Sequence, residues 1–300
     1  MSVLVVGSVA LDTVETPFGK VDDAIGGSAT YFSAAASYFT DVNIVAVVGE
    51  DFPIDQIKFL QARGVNLDGL VVKPGKTFRW GGKYDFDLNQ RETLFTHLNV
   101  FENFDPKLPE HYRNTPYLFL ANIHPELQLK VLHQMSQPKL VVMDTMNFWI
   151  ERTPAPLAEV LKRVDILIVN DSEVRQLAQT PNLFIGAKRI QKMGPKIIVM
   201  KKGEHGALLV HDGQYFWAPA FPLEQLQDPT GAGDTFAGGF VGYLAKVDDP
   251  SPAHLRKAVI YGSTLASFCV EQFSLRGLKN LSPQQIEHRY RQFIDMVKCD

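Results

Sequence analysis

Asp228-Pro-Thr-Gly-Ala-Gly-Asp234 runs into a stretch of apolar and small residues, Thr235-Phe-Ala-Gly-Gly-Phe-Val-Gly-Tyr243. Gly231 and Gly233 let the backbone approach a ligand closely and turn successive N–H groups the same way. The start of the helix that follows adds positive dipole character. Together these features make a site for an anion such as a phosphate in transfer. Asp234 stands at the mouth of that site, where a carboxylate can take a proton from an attacking hydroxyl. A glycine-rich turn capped by an aspartate, with no ligand, is the plainer reading of the same pattern.

Several other residues stand where strands end. Asp12 follows the apolar run 3–6, and a carboxylate acceptor there suits a polyol, although a turn aspartate reads the same way. Asn122, His124, Asp144 and Asn147 also follow apolar runs, as substrate contacts or as loop hydrogen bonds. Asn170-Asp-Ser-Glu173 is a polar start to a helix, with Asn170 or Ser172 as its cap. Lys202-Gly203-Glu-His-Gly206 is a tight turn between two strands. Tyr31 and Phe32 either face a helix core or bring an aromatic face to a sugar ring or a nucleobase. There is no G-x-x-x-x-G-K-[S/T] phosphate loop, no G-x-G-x-x-G in the first strand-to-helix turn, and no His-Glu-x-x-His, G-x-S-x-G or His-Arg-Asp motif.

The elements that must position these residues follow from periodicity. Continuous apolar runs at 3–6, 44–48, 117–120, 140–143, 166–169, 197–200 and 208–210 read as strands buried on both faces. Helical patterns at 28–39, 54–62, 126–135, 171–178, 183–193, 233–245, 253–270 and 283–297 lie between or after them. The alternation predicts an α/β fold: a doubly wound, mostly parallel central sheet flanked by helices. Runs at 67–72, 77–85 and 93–98 have no helix between them. With 13–18 they predict a small antiparallel β lid, formed by about residues 12–19 and 67–98, on a single domain spanning 1–300.

Composition narrows the class. The 300 residues carry a net charge of −3, so no global basic field collects nucleic acid or anionic lipid, and neither is an expected partner. The two cysteines, Cys269 and Cys299, form neither a disulfide framework nor a metal-ligand spacing, which fits a reducing, cytoplasmic setting. The N-terminus lacks the basic start of a signal peptide, and no apolar run approaches the ~18 residues of a membrane span.

In these motifs and their order, the whole chain resembles the PfkB or ribokinase-like family of sugar and nucleoside kinases. Asp228-Pro-Thr-Gly-Ala-Gly-Asp-Thr-Phe236 matches that family's C-terminal signature. The resemblance implies a ribokinase-like fold and transfer of the γ-phosphate of ATP to a hydroxyl of a small sugar, sugar alcohol or nucleoside. It makes Asp234 the catalytic base and the backbone of Gly231, Ala232 and Gly233 the anion hole. Gly7-Ser-Val-Ala-Leu-Asp12 resembles the first-strand motif whose aspartate holds substrate hydroxyls, and Gly26-Gly27 resembles the double-glycine hinge that also touches substrate. Asn170-x-x-Glu173 resembles the motif that organises Mg²⁺ and phosphate, usually through water. Lys202, Gly203 and Gly206 resemble the nucleotide-binding turn, with segments 219–227 and 262–270 flanking the adenine. Asp228 and Thr230, with the loop after Val270, resemble a monovalent-cation site suited to K⁺. Where many members carry an asparagine, four residues past Gly27, this chain has Tyr31. The same fold could instead serve as a sugar- or nucleoside-binding sensor without turnover. A flap carrying apolar residues, Phe78 and Trp80 among them, invites pairing with a second copy, so a homodimer through the lid is a further expectation.

Overall fold

The computed structural model describes residues 1–298; Cys299 lies outside them. In chain order the strands are β1 (Val3–Val6), β2 (Ala10–Thr16), β3 (Gly19–Gly26), β4 (Val42–Gly49), β5 (Val65–Lys73), β6 (Arg79–Tyr84), β7 (Arg91–His97), β8 (Tyr117–Leu120), β9 (Leu140–Asp144), β10 (Ile166–Asn170), β11 (Ile197–Lys201), β12 (Ala207–His211) and β13 (Gln214–Ala218). Nine form the central sheet in the order β13-β12-β11-β10-β9-β8-β1-β4-β5. Its pairs are parallel from β11 through β5, and β12 and β13 add an antiparallel edge.

Side chains along each central strand alternate between two cores. Val3, Val5, Ile166, Ile168, Ile197 and Val199 enter one, packed under the helices Ser28–Ala36, Ala232–Val247, Pro252–Val270 and Pro283–Val297. Leu4, Val6, Leu167, Val169, Ile198 and Met200 enter the other, beneath Pro125–Gln134, Pro154–Leu161, Asp171–Ala178 and Leu183–Gln191. Burial on both faces is why these strands read as unbroken apolar runs. All the parallel strands point their C-terminal ends to one edge, where a doubly wound sheet takes its ligands.

A second sheet, β3-β2-β6-β7, stands over that edge. It differs from the expected antiparallel lid in three places, the first being that its central pair, β2 with β6, runs parallel. Segment 67–72, expected in the lid, lies within β5, which pairs in parallel with β4 at the border of the central sheet. There Val65 and Gly69 are buried, and a side chain on Gly69 would collide with Ile44 and Tyr112. The fourth lid strand is instead β3, joined to β2 by a turn at Pro17-Phe18. Its Lys20, Asp22 and Asp23 disguise it, since polar residues and glycine carry little strand signal. The helices Asn147–Arg152 and Pro154–Leu161 were likewise hidden by the prolines at 154 and 156, the first of which opens a helix.

Candidate active site

The loop after β1 and the helix Ser28–Ala36 are locked together by two serines. Ser8 N–H donates to Ser28 Oγ at 3.2 Å, and Ser28 N–H donates to Ser8 Oγ at 3.0 Å. This clasp sets Gly26 and Gly27 against Asp12. A side chain on Gly26 would begin 1.8 Å from the Asp12 carboxylate, and Gly27 has φ 94° with Ser8 O only 2.5 Å from any Cβ. Glycine is thus required at both by close approach, and at Gly27 also by the backbone region. The Gly27 amide, close to the Asp12 carboxylate, works to lower its pKa. Asp12 is buried, and desolvation, helped by Asp228 and Asp234, raises its pKa to about 7.

Across the cleft, Gly231 (φ 74°) caps the helix Ala232–Val247. A side chain there would begin 2.4 Å from the ring of Tyr31, which lies flat beneath the turn. The Ala232 amide already donates to Pro229 O at 3.2 Å, whereas the Gly231, Gly233 and Asp234 amides of this helix start have no backbone acceptor. Asp234 is half-buried; desolvation first, and then Asp144, raises its pKa to about 7, against the opposing pull of Lys201 and Arg91. The Asp228 carboxylate accepts from the amides of Thr230 at 2.8 Å and Ser274 at 3.2 Å, and so pins the turn to the loop after Val270.

The ends of β9, β10 and β11 form the cleft floor. Asn170 caps the helix Asp171–Ala178 in a reciprocal capping box: Glu173 N–H donates to Asn170 Oδ1 at 2.8 Å, and Asn170 N–H donates to Glu173 Oε2 at 2.7 Å. Burial and then Asp144 hold Glu173 well above the usual carboxylate range. Lys201 Nζ donates to Asp144 Oδ2 at 3.1 Å. Burial opposes the Lys201 ammonium, yet Asp144, Glu173 and Asp234 outweigh it and leave Lys201 more basic than usual.

The lid supplies the roof. Asp12 on β2 is in register with Trp80 on β6, and Tyr84 on β6 with Arg91 on β7, so cross-strand partners share a face. Tyr84 is buried, and Thr230 Oγ1 donates to its hydroxyl at 3.1 Å, tying the lid to the glycine turn. The Arg91 guanidinium lies 5.0 Å above the Trp80 ring, close enough to Tyr84 to oppose the rise of its pKa. From there its charge reaches Asp12, Glu173 and Asp234 and lowers the pKa of each.

The structure therefore gathers Asp12, Gly26, Gly27, Gly231, Gly233, Asp234, Asn170 and Glu173 around one cleft. It assigns other expected residues differently. Tyr31 is a buried pad under Gly231 and offers no open face to a substrate ring. The Asn122 side chain is engaged, accepting from Trp149 Nε1 at 2.9 Å and donating to Met146 Sδ at 3.2 Å. Lys202 turns outward, its ammonium 5.6 Å from the Trp217 ring, while Gly203 and Gly206 shape the turn behind it. The lysine that enters the cleft is Lys201, and counting K-x-G-x-x-G from Lys201 gives the correct spacing to Gly203 and Gly206. Arg91 and Tyr84 carried no sequence signal.

The donors fit a nucleotide with a hard cation better than a protein-caged metal. Among the described residues no group of three or more His, Cys, Asp or Glu side chains could hold a metal ion. Glu173 and Asp144 offer carboxylate oxygen near the open amides, as a Mg²⁺ that keeps most of its waters requires. No helix of the described residues is long and apolar enough to cross a membrane.

Comparison with known proteins bears on the family and the fold. The family model for pfkB family carbohydrate kinases matches residues 2–280. A cytidine kinase of Thermococcus kodakarensis is 30% identical over 248 residues, which cover 80% of this chain and 87% of that protein. A nucleoside kinase of Methanothermobacter thermautotrophicus is 32% identical over 284 residues, covering 89% of each. Among solved structures, aminoimidazole riboside kinase from Salmonella enterica, complexed with aminoimidazole riboside and an ATP analog, superposes with a TM-score of 0.77 over 97% of this chain and all of its own, at 17% identity.

Proposed function

The chain belongs to the pfkB family of carbohydrate kinases, a phosphotransferase class, and on that premise we propose that it is an ATP-dependent nucleoside kinase with Asp234 as general base. The observation that carries this reading is Asp234 itself. It is a half-buried carboxylate in the first turn of a helix, with its pKa raised to about 7 chiefly by desolvation, across the cleft from Asp12. A base poised near neutral pH can accept a hydroxyl proton and release it again after transfer.

Each chain residue then has a role. Asp12, packed against Gly26, holds hydroxyls of the acceptor sugar. Asp234 takes the proton from the attacking hydroxyl. The Gly233 and Asp234 amides meet charge that builds on the transferring phosphoryl group. Glu173 and Asp144 would hold Mg²⁺ through water, and when bound the ion neutralises phosphate charge. The lid, tied down through Tyr84, excludes water from the transfer. Trp80 supports the choice of a nucleoside: it is registered beside Asp12, where a flat base linked to the held sugar could stack. The nucleoside and cytidine kinases among the relatives point the same way. A monovalent cation beside Asp228 and Thr230 belongs to the same reading and is checked by comparing rates in K⁺ and in a large organic cation.

Coupled ADP release across a panel of nucleosides, sugars and polyols tests the proposal. Turnover with nucleosides, abolished in Asp234→Asn, is the expected result. Turnover confined to sugars would overturn the nucleoside choice. Thermal stabilisation by an acceptor without ADP release would mark a sensor.

A further inference from the structure

A chain of polar contacts runs from the end of β4 into the lid, and its fixed end is Thr77. That residue is fully buried. Its amide and its Oγ1 both donate to Asp51 Oδ1 at 2.7 Å. The Gly49 amide donates to Thr77 Oγ1 at 3.0 Å, and Asn99 Nδ2 donates to Thr77 O at 2.8 Å. Asp51 is thereby held to the central sheet, and its second oxygen faces the lid. Arg79, which opens β6, takes that oxygen: Nη1 donates to Asp51 Oδ2 at 2.7 Å, while Nε donates to Asp23 Oδ1 on β3 at 2.9 Å. Asp23 has φ 49° and stands in a bulge, where Asp22 and Asp23 oppose Thr13 alone, next to the registered pair Asp12 and Ala24. We propose that Arg79 is a positioning residue for the acceptor: by clamping Asp23 to Asp51 it fixes this bulge, and through it sets the Asp12 carboxylate over the ligand edge of the central sheet. The inference deepens the kinase reading and rests on it.

Three physical arguments support the assignment. The first is strain. A non-glycine residue in the left-handed region persists where its surroundings over-determine it, and a bulge beside a site re-aims the side chains next to it. The Arg79 bond supplies that constraint at Asp23. The second is energetic. The Arg79 side chain is 22% exposed, Asp51 30% and Asp23 59%, and ion pairs this open to water add little stability. What a planar guanidinium adds here is geometry, since its fork fixes two carboxylates from different elements at once. The third is placement. Arg79 is in register with Leu11, and Trp80 with Asp12, so Arg79 lies on the face of the lid sheet opposite Asp12 and acts on the cleft without entering it. Strand β6 is thus pinned at both ends, by Arg79 at its start and by Tyr84, bonded to Thr230 at 3.1 Å, at its close. Loss of Arg79 frees the end beside Asp12 and leaves the end beside the glycine turn tied.

The test compares the full chain with Arg79→Met, Arg79→Lys, Asp51→Asn and the double variant Arg79→Met with Asp51→Asn. ADP-release kinetics, thermal melts and amide hydrogen exchange are read on each. Arg79→Met is expected to raise the KM of the acceptor about tenfold or more, to leave the KM of ATP within about threefold and to shift Tm by less than about 3 °C. Asp51→Asn keeps an oxygen for Thr77 and gives up the one that Arg79 uses, so it should reproduce the same split. The double variant should lie within about twofold of the larger single change, because both substitutions break one contact. Arg79→Lys should recover part of the loss, since an ammonium cannot hold both carboxylates as a fork does. An unchanged acceptor KM, an equal rise in both KM values, or effects that multiply in the double variant overturns the proposal. If Arg79→Met does not fold, Asp51→Asn is read by the same split. Should the wild-type chain phosphorylate nothing, the kinase reading falls and hydrogen exchange decides the clamp. Amides of β3 and β6 should then exchange about tenfold faster or more in Arg79→Met while those of β9 to β11 stay as in wild type, and unchanged exchange in β3 overturns the clamp as well.

Discussion

Replacing Asp234 by Asn should stabilise the protein at alkaline pH while removing its activity. The pKa of Asp234 rises from 3.8 in the unfolded chain to about 7 in the native cleft, chiefly by desolvation. An acid with a raised native pKa is stabilising below its unfolded pKa, and that contribution is lost as pH climbs through the native value. The penalty of ionising Asp234 is therefore absent below about pH 4, grows between about pH 4 and 7, and is complete above. About three pKa units at ~1.4 kcal/mol each set an upper bound of ~4 kcal/mol. Asparagine has the same shape and no charge, but its amide must find new partners, so a net gain of about 1–3 kcal/mol is expected at pH 8. With an unfolding entropy of roughly 2.1 cal/mol/K per residue over 300 residues, that is about 2–5 °C in Tm. Differential scanning calorimetry of both proteins from pH 5 to 8.5 should show the gap widening with pH, and kcat in the mutant should fall by about 10²–10⁴-fold. A gap that does not change with pH, or a mutant less stable than wild type at pH 8, would refute the argument that Asp234 is held in a desolvated site.

Three further outcomes follow from the same geometry. Asp12→Asn should raise the KM of the acceptor about tenfold or more and leave the KM of ATP within about threefold, because the role proposed for the carboxylate is to hold acceptor hydroxyls; equal effects on both would remove Asp12 from substrate binding. Gly231→Ala meets both a left-handed backbone and the Tyr31 ring 2.4 Å away, so it should cost about 2–4 kcal/mol and abolish turnover, with Tyr31→Leu in the same chain restoring part of the Tm; thermal melts decide. Arg91→Ala removes an exposed side chain whose charge lowers the pKa of Asp234; Tm should change by less than about 2 °C, kcat should fall about 10–10²-fold, and the acid limb of the kcat–pH profile should move to higher pH.

How much of this was legible in the sequence depends on how the chemistry is encoded. Asp234, Gly231 and Gly233 lie within one short segment, and so do Asn170 and Glu173. Local spacing alone carries the helix start and the capping box there, because both are made by near neighbours in the chain. The central sheet was legible for a related reason: burial on both faces leaves each strand apolar throughout, whichever strand it pairs with. The lid was not, because membership in a half-exposed sheet is decided by pairing. The apolar residues of β5 read as lid material until Val65 and Gly69 are seen to bury against β4 and its neighbours, while charged β3 completes the lid through its register with β2.

The site residues that sequence reading missed or misplaced follow the same division. Lys201 and Lys202 are adjacent, and only the period-two alternation of a strand decides which ammonium enters the cleft. Tyr84 meets Thr230 across 146 residues, a contact no local pattern encodes. Tyr31 is the instructive case. Its position in the chain suggested a ring offered to a substrate, but the ring fills the space under Gly231 instead. The glycine turn thus packs on a residue from the other end of the chain. A carboxylate with an ordinary pKa would be a weak base at neutral pH. The motif names the candidate base, and on the proposed reading the surrounding desolvation raises its pKa toward neutrality.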